Sequence, residues 1–375
     1  MSAFSANDHA MMSLALQLAE RGIYTTSPNP MVGCVVVSSD GDIVGQGWHQ
    51  RAGGPHAEIF ALRQAGNKAA NATVYVTLEP CSHHGRTPPC AEALIKAGVK
   101  KVICAMVDPN PQVSGRGMEL LANAGIETAS GLLEHQASQL NRGFIKRMQQ
   151  GKPFVSLKMA ASLDGKIALN NGHSQWITGT AARREVQSYR ARSCAILTGS
   201  GTVLADDPLL NVRFDELHNP PRFLTADNIR QPLRVIIDSQ NKVSSQHRIV
   251  NQGDEVLLVN KNVNPQPFSA HVSQWQGPGN LVGKMDLGAI LAHMGQLQIN
   301  QVWVEAGAGL AGALLAAKLI DEMIIYIAPR IMGDKSQNLL NLPLFEHMEQ
   351  TIGLQWQDVR QIGDDLKIVA TPLYQ

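Results

Sequence analysis

The chain has 375 residues, 44% of them hydrophobic, with 32 Lys and Arg against 31 Asp and Glu. That length favours two domains over one, and the apolar fraction is ample for ordinary cores. A net charge of +1 and an aromatic content of 5% give no general pull towards nucleic acid or an anionic membrane.

Residues 1–22 lack a basic leader, an unbroken apolar core and a small-residue cleavage site. Met11, Leu14, Ala15 and Leu18 instead fall on one helical face, with Ser5 as N-cap. Strands are expected at 34–37, 73–78 and 102–107, with helices at 57–65 and 91–97 between them. This alternation predicts an α/β layered domain with a largely parallel interior. Over residues 139–152 the composition turns polar and basic, which puts a boundary near residue 150 and divides the chain into 1–147 and 148–375. The second half restarts the pattern, with strands at 154–158, 195–197, 233–238, 256–259, 302–305 and 323–327. Asp164-Gly165 is a hairpin signal, and the Pro- and Asn-rich stretch 215–231 reads as a surface loop. The longest apolar run, 311–320, is interrupted by Lys318 and is too short to span a bilayer. Five cysteines, at 34, 81, 90, 104 and 194, are odd in number and scattered, which suits a reducing compartment. A soluble, cytoplasmic chain is expected.

The chemistry concentrates in His56-Ala57-Glu58, Pro80-Cys81 and Cys90. One imidazole and two thiols supply three zinc ligands and leave a fourth position for water, which separates a catalytic zinc from a structural one. Glu58, two residues from the first ligand, can take a proton from that water and pass it to a leaving group, as hydrolytic deamination of a nucleobase-like ring requires. Gly53-Gly54-Pro55 brings His56 to a helix start, and Pro88-Pro89 does the same for Cys90. There the positive end of the helix dipole favours the thiolate that zinc needs. A lone His or Cys is more often core or surface, and Cys34, Cys104 and Cys194 are read as core. A structural zinc would recruit a fourth ligand, such as His83 or His84, and would leave Glu58 without a role.

Many cytidine-deaminase-like proteins have Cys-x-x-Cys, whereas eight residues, SHHGRTPP, separate Cys81 from Cys90. The insertion carries His83, His84 and Arg86, which could bind a phosphate or simply form a solvated loop. The run from Thr77 to Cys90, together with Pro28-Asn-Pro-Met-Val-Gly33, closely resembles the deaminase domain of the bifunctional riboflavin-biosynthesis deaminase/reductase family. The resemblance implies a cytidine-deaminase-like three-layer domain in which Asn29 hydrogen-bonds the substrate. Between two prolines, Asn29 would otherwise be a turn residue.

Three segments of the second half resemble the reductase domain of the same family: Lys158 to Ala168, Ser174 to Gly179, and Gly199 to Pro208. That domain is similar in fold to dihydrofolate reductase and uses NADPH. Gly307-Ala-Gly-Leu-Ala-Gly312 spells G-x-G-x-x-G between a strand and a helix, where bare backbone N–H groups can hold a diphosphate. It comes too late in its domain for a Rossmann unit. The resemblance implies that Ala160, Trp176, Thr202, Asp206 and the loop Gly307, Ala308, Gly309, Leu310, Ala311, Gly312 and Ala313 line the cofactor site. It places Ser174, Arg190, Arg213 and Glu305 towards the substrate, with Lys158 and Glu305 as conceivable participants in proton transfer. By default Trp176 would be core and the two arginines solvated surface. A phosphorylated substrate needs such guanidinium partners.

Together the halves imply two consecutive steps of riboflavin synthesis: deamination of a diaminopyrimidinone carrying a ribosylamino phosphate, then reduction of its ribosyl group to ribityl. Small pyrimidine ribosyl phosphates are the expected partners, with neither nucleic acid nor membrane. The family commonly self-associates, so a homo-oligomer, dimer or tetramer, is expected. A nucleic-acid-editing deaminase would need a basic, aromatic-rich face, which the composition does not provide. A non-catalytic zinc module would be expected to have lost Glu58, and Glu58 is present.

Overall fold

The computed structural model describes residues 4–82, 88–111, 113–280 and 283–374. The chain divides into two compact units, Met1–Gly151 and Lys152–Gln375.

The first unit opens with α1 (Ala6–Glu20), whose start is a capping box: Asp8 N–H donates to Ser5 Oγ, and Ser5 N–H donates back to the Asp8 carboxylate. Strands β1 (Gly33–Val37) and β2 (Ile43–Trp48) form an antiparallel pair, followed by α2 (Ala57–Ala65) and β3 (Thr73–Val76). Then come α3 (Cys90–Lys96), β4 (Lys101–Cys104), α4 (Arg116–Asn123), β5 (Glu127–Ser130), α5 (Glu134–Leu140) and α6 (Arg142–Gln150). The sheet order is β2-β1-β3-β4-β5. Only β3, β4 and β5 run parallel, since β1 is antiparallel to both of its neighbours, so the expected parallel interior covers three strands of five.

Alternation along β1 explains the three layers. Cys34 and Val36 pack with Ala57, Ala61 and Leu94 on one face, while Val35 and Val37 meet Met12, Ala15 and Leu18 on the other. Gly45 and Gly47 point one face of β2 at α2. A Cβ at Gly45 would lie 2.1 Å from the Ala61 carbonyl oxygen, and one at Gly47 would lie 2.3 Å from that of Ala57. Helix α2, with its Ala57, Ala61 and Ala65 stripe, therefore lies directly on the strand backbone, and its first turn is fixed in place.

In the second unit β6 (Phe154–Ser162) is followed by β7 (Lys166–Ala168), α7 (Thr180–Arg192), β8 (Ala195–Gly199), α8 (Ser200–Asp206) and β9 (Leu233–Ile237). Next come α9 (Arg248–Asn251), β10 (Val256–Asn260), β11 (Val272–Gln276), α10 (Leu287–Gln296), β12 (Gln301–Glu305) and α11 (Ala308–Ala316). The chain ends with β13 (Glu322–Ala328), β14 (Gln337–Asn338), β15 (Gly353–Ile362) and β16 (Asp365–Leu373). Nine strands form one sheet in the order β11-β10-β9-β8-β12-β6-β13-β16-β15. It is parallel from β11 to β13, and the final β15–β16 hairpin is antiparallel. Helices α10 and α11 cover one face, and α7 and α9 the other.

The hairpin expected at Asp164-Gly165 does not form as a strand pair. The chain turns there, with Gly165 N–H donating to the Ser162 carbonyl, but β7 pairs with β14 instead of β6. The Asp164 carboxylate accepts from Met332 N–H and Gly333 N–H, so a distant loop takes the bonds that a hairpin partner would have made.

Candidate functional site

Two groups of side chains carry chemistry, one in each unit. In the first, His56 is the N-cap of α2, and Glu58 lies in that helix's first turn, only 3% exposed. Cys81 follows β3, and Cys90 is the first residue of α3. His56 Nδ1 lies 3.2 Å from Cys90 Sγ and 3.6 Å from Cys81 Sγ, and the three donor atoms fall within 4.8 Å of one another. A tetrahedral zinc with bonds of about 2.0–2.3 Å needs its donors roughly 3.3–3.8 Å apart, so the cluster fits the ion.

The electrostatics favour a thiolate at Cys81 and run against the one expected at Cys90. The Cys81 thiol is lowered to about 4, first by its hydrogen bond with Cys90 and then by His56 and the Cys90 backbone N–H, which donates to Cys81 Sγ at 3.3 Å. The same Cys81–Cys90 bond pushes the Cys90 thiol up. Burial raises Glu58 above the usual carboxylate range, and its Oε2 is buried with no hydrogen-bond partner among the described residues. A buried, orphaned carboxylate oxygen is costly to keep unless it has work to do.

Two neighbours escaped the sequence reading. Glu79, 5% exposed, accepts four backbone N–H groups: Asp108 and Gly115 on Oε2, Gly117 and Met118 on Oε1. It fastens the backbone of Asp108, Gly115, Gly117 and Met118, and Gly117 lies against the Pro80 carbonyl just before Cys81. Its position two residues before Cys81 was the available signal. His49, just past β2, lies between Asn29 and the ring of His56, and as a lone histidine it offered no signal. Asn29 sits 3.1 Å from His49. His83, His84 and Arg86 lie outside the described residues.

In the second unit, register brings distant positions together. Glu305 ends β12 directly opposite Lys158, the middle residue of β6, so the pair lies at the carboxyl end of one parallel strand, where open α/β sheets place their ligands. Arg190 of α7 clamps Glu305 with two bonds, Nε to Oε1 at 2.6 Å and Nη2 to Oε2 at 3.0 Å, while its Nη1 donates to the Asn211 carbonyl. The fully buried Trp303 donates its indole N–H to Glu305 Oε1 at 3.0 Å. Burial alone would raise Glu305, but Arg190 and then Lys158 and Trp303 outweigh it and hold the carboxyl at about 2. Burial lowers the Lys158 ammonium, partly offset by Glu305.

The glycine run divides by function. Gly307 is the N-cap of α11, and a Cβ at Gly307 or Gly309 would meet nothing within 4 Å, so Gly307, Ala308 and Gly309 offer an open helix start. A Cβ at Gly312 would lie 2.0 Å from the Asn341 carbonyl oxygen. Gly312 serves helix packing, and Ala311 is in the core, with Leu310 against it and Ala313 exposed. Thr202 lies in the first turn of α8 and Asp206 at its exposed end, while Ala160 and Ser174 are half-buried. Trp176, expected by default to be core, is 62% exposed with the Arg183 guanidinium 4.7 Å over its ring. Arg213 is exposed and held by Glu216, and Arg190 is buried against Glu305, so each arginine expected at the substrate already has a carboxylate partner.

Residues 153–368 match the family described as the RibD C-terminal domain, and residues 5–106 match the cytidine and deoxycytidylate deaminase zinc-binding region. The riboflavin biosynthesis protein RibD of Escherichia coli (strain K12) is 52% identical over 360 residues, covering 96% of this chain and 98% of its own length. A solved structure of RibD from Acinetobacter baumannii superposes with a TM-score of 0.90 at 45% identity, over 98% of this chain and 99% of that one. The diaminohydroxyphosphoribosylaminopyrimidine deaminase/5-amino-6-(5-phosphoribosylamino)uracil reductase of Thermotoga maritima superposes with a TM-score of 0.86 at 32% identity, over 98% and 99% of the two chains.

Proposed function

The chain belongs to the RibD family of riboflavin-biosynthesis proteins, and from that membership we propose how its residues divide a deamination and a reduction between two sites. The first unit deaminates 2,5-diamino-6-(5-phosphoribosylamino)pyrimidin-4(3H)-one. The second reduces the ribosyl group of the resulting 5-amino-6-(5-phosphoribosylamino)uracil to ribityl. The observation that carries this reading is the buried, partnerless Glu58 oxygen beside the His56, Cys81 and Cys90 donor set.

Zinc, held by those three residues, supplies when bound a Lewis acid that lowers the pKa of water from about 16 towards about 7. Glu58, whose proton affinity burial has raised, takes a proton from the attacking water, delivers it to the ring nitrogen and assists ammonia to leave. Asn29 orients the ring. His83 and Arg86 remain candidates for the substrate phosphate.

In the second unit NADPH supplies the two-electron reducing equivalent. The open start of α11 at Gly307, Ala308 and Gly309 suits its phosphates, and Thr202, Asp206, Ala160 and Trp176 complete the cofactor surface. Leu310, Ala311, Gly312 and Ala313 support that loop, largely from within. Glu305, held ionised, is no acid; it fixes Lys158, whose burial-lowered ammonium is the proton source for the reduced sugar. Ser174, Arg190 and Arg213 border the substrate.

Removing the metal with a chelator should abolish ammonia release. NADPH oxidation on the deaminated intermediate should stay within about twofold, as expected for separate chemistries. Loss of both activities would contradict the division.

The chain is further read as a cytoplasmic homo-oligomer. Among the described residues no helix is long and apolar enough to cross a membrane, and all five cysteines are free thiols. The outer strand β15 leaves Trp356 and Val359 exposed. An antiparallel pairing with a second copy centred on Val359 would set Asp358 against Arg360 in both directions. Light scattering should give a dimer or larger species, and Val359→Pro should yield monomer; a monomeric parent chain would end this reading.

A further inference from the structure

We infer that His49 is a positioning residue that sets the hydrogen-bond polarity of Asn29, so that the deaminase pocket selects a ring presenting an N–H donor to the Asn29 carbonyl oxygen. The inference rests on the proposed deamination and on Asn29 touching the substrate.

His49 is 2% exposed, and its ring stands edge-on to that of His56 with centroids 5.6 Å apart, which places it against a metal ligand. Its two nitrogens face partners of opposite kind. Nδ1 lies 3.0 Å from the Pro55 carbonyl oxygen, which can only accept, so Nδ1 carries the proton. Nε2 lies 3.1 Å from Asn29 Nδ2, an amide nitrogen that can only donate, so Nε2 offers its lone pair. Each bond fixes the other, and the tautomer follows from the geometry.

The consequence falls on Asn29. One of its amide hydrogens goes to His49, and among the described residues its Oδ1 has no hydrogen-bond partner. A flipped amide would set two acceptors, Oδ1 and Nε2, against each other. The backbone of the loop is fixed independently: Asn29 N–H donates to the Thr26 carbonyl, and the buried Asn141 amide pairs with both the N–H and the carbonyl of Met31. Rotation of the Asn29 amide is the remaining freedom, and His49 removes it. A pocket presenting a fixed acceptor rejects a ring with a carbonyl in the same place, because that acceptor is left unpaired.

The test is a double-mutant cycle on the full-length, zinc-loaded enzyme, with kcat and KM for deamination measured in Asn29→Ala, His49→Asn and the double variant. His49→Asn keeps a donor for the Pro55 carbonyl and removes Nε2. Zinc content and the reductase rate on the same samples report folding. We expect KM to rise about tenfold in each single variant with kcat changed less than about threefold, and the double variant to be no worse than Asn29→Ala. His49→Gln, which retains a donor and an acceptor, should recover most of the loss, and it serves as the second variant if His49→Asn loses zinc. Additive losses, or a wild-type KM in His49→Asn, would overturn the positioning role while leaving the deaminase reading intact. An unchanged KM in Asn29→Ala would remove Asn29 from the substrate and the inference with it.

Discussion

Glu58→Gln should cost deamination about three to four orders of magnitude while leaving the reductase rate and the zinc content unchanged. The amide fills the same volume in the first turn of α2 but cannot carry a proton between water, ring nitrogen and leaving amine. His56, Cys81 and Cys90 keep their places, because α2 is held by its alanine stripe on the Gly45 and Gly47 backbone and not by Glu58. The variant should be no less stable than the parent chain, since a buried carboxylate with one unpartnered oxygen is replaced by a neutral group. Steady-state ammonia release and metal analysis on one preparation check this. Deamination within about tenfold of wild type would remove Glu58 as the proton carrier.

Arg190→Met should have the largest effect on the second unit. It leaves Glu305 buried without its bidentate partner, and breaking such a pair costs about 3–5 kcal/mol. On a unit of this size that is roughly 10 °C in Tm. Reduction should fall at least about 100-fold, because Glu305 and Lys158 lose their fixed geometry. The pH dependence has a definite sign. Glu305 titrates at about 2 in the folded chain against an ordinary value of 4.5, so the stability it contributes is complete above pH 4.5 and is lost as pH falls towards 2. The stability gap between wild type and Arg190→Met should therefore be widest near neutrality and close below pH 4.5. Arg190→Lys keeps the charge without the fork and should fall between the two. Thermal melts across pH decide it: a gap that does not change with pH would mean that Arg190 acts through packing alone.

These two sites differ in how much of them could be read from sequence. The cluster of His56, Cys81 and Cys90 and the buried Glu58 beside it were legible because the pattern is local. His56 and Glu58 share one helix start, Cys81 and Cys90 lie nine positions apart in the sequence, and few residue types can bind the ion. The Ser5 cap and most central strands were legible for the same reason, from caps and short apolar runs. The Lys158, Arg190 and Glu305 cluster was different. Its residues lie far apart in the chain, and only the parallel register of β6 with β12 and the placing of α7 bring them together. The resemblance named the residues but gave no hint that Arg190 would be spent on Glu305. The strands that went unread were β2, β5, β7, β11, β14, β15 and β16. Residues 353–362 are mostly exposed and polar, so the edge strand carries little of the alternation that marks a half-buried one. At Asp164-Gly165 the turn chemistry was right, but the strand partner came from β14, which no local signal names.

The most direct test of the central claim is to give the zinc-loaded chain the diaminopyrimidinone ribosyl phosphate and NADPH together, and to identify the product by mass spectrometry. Replacement of one amino nitrogen by oxygen together with gain of two hydrogens is the predicted result, and it would place both steps on this one chain. Recovery of unchanged substrate from a preparation with full zinc content would contradict the account.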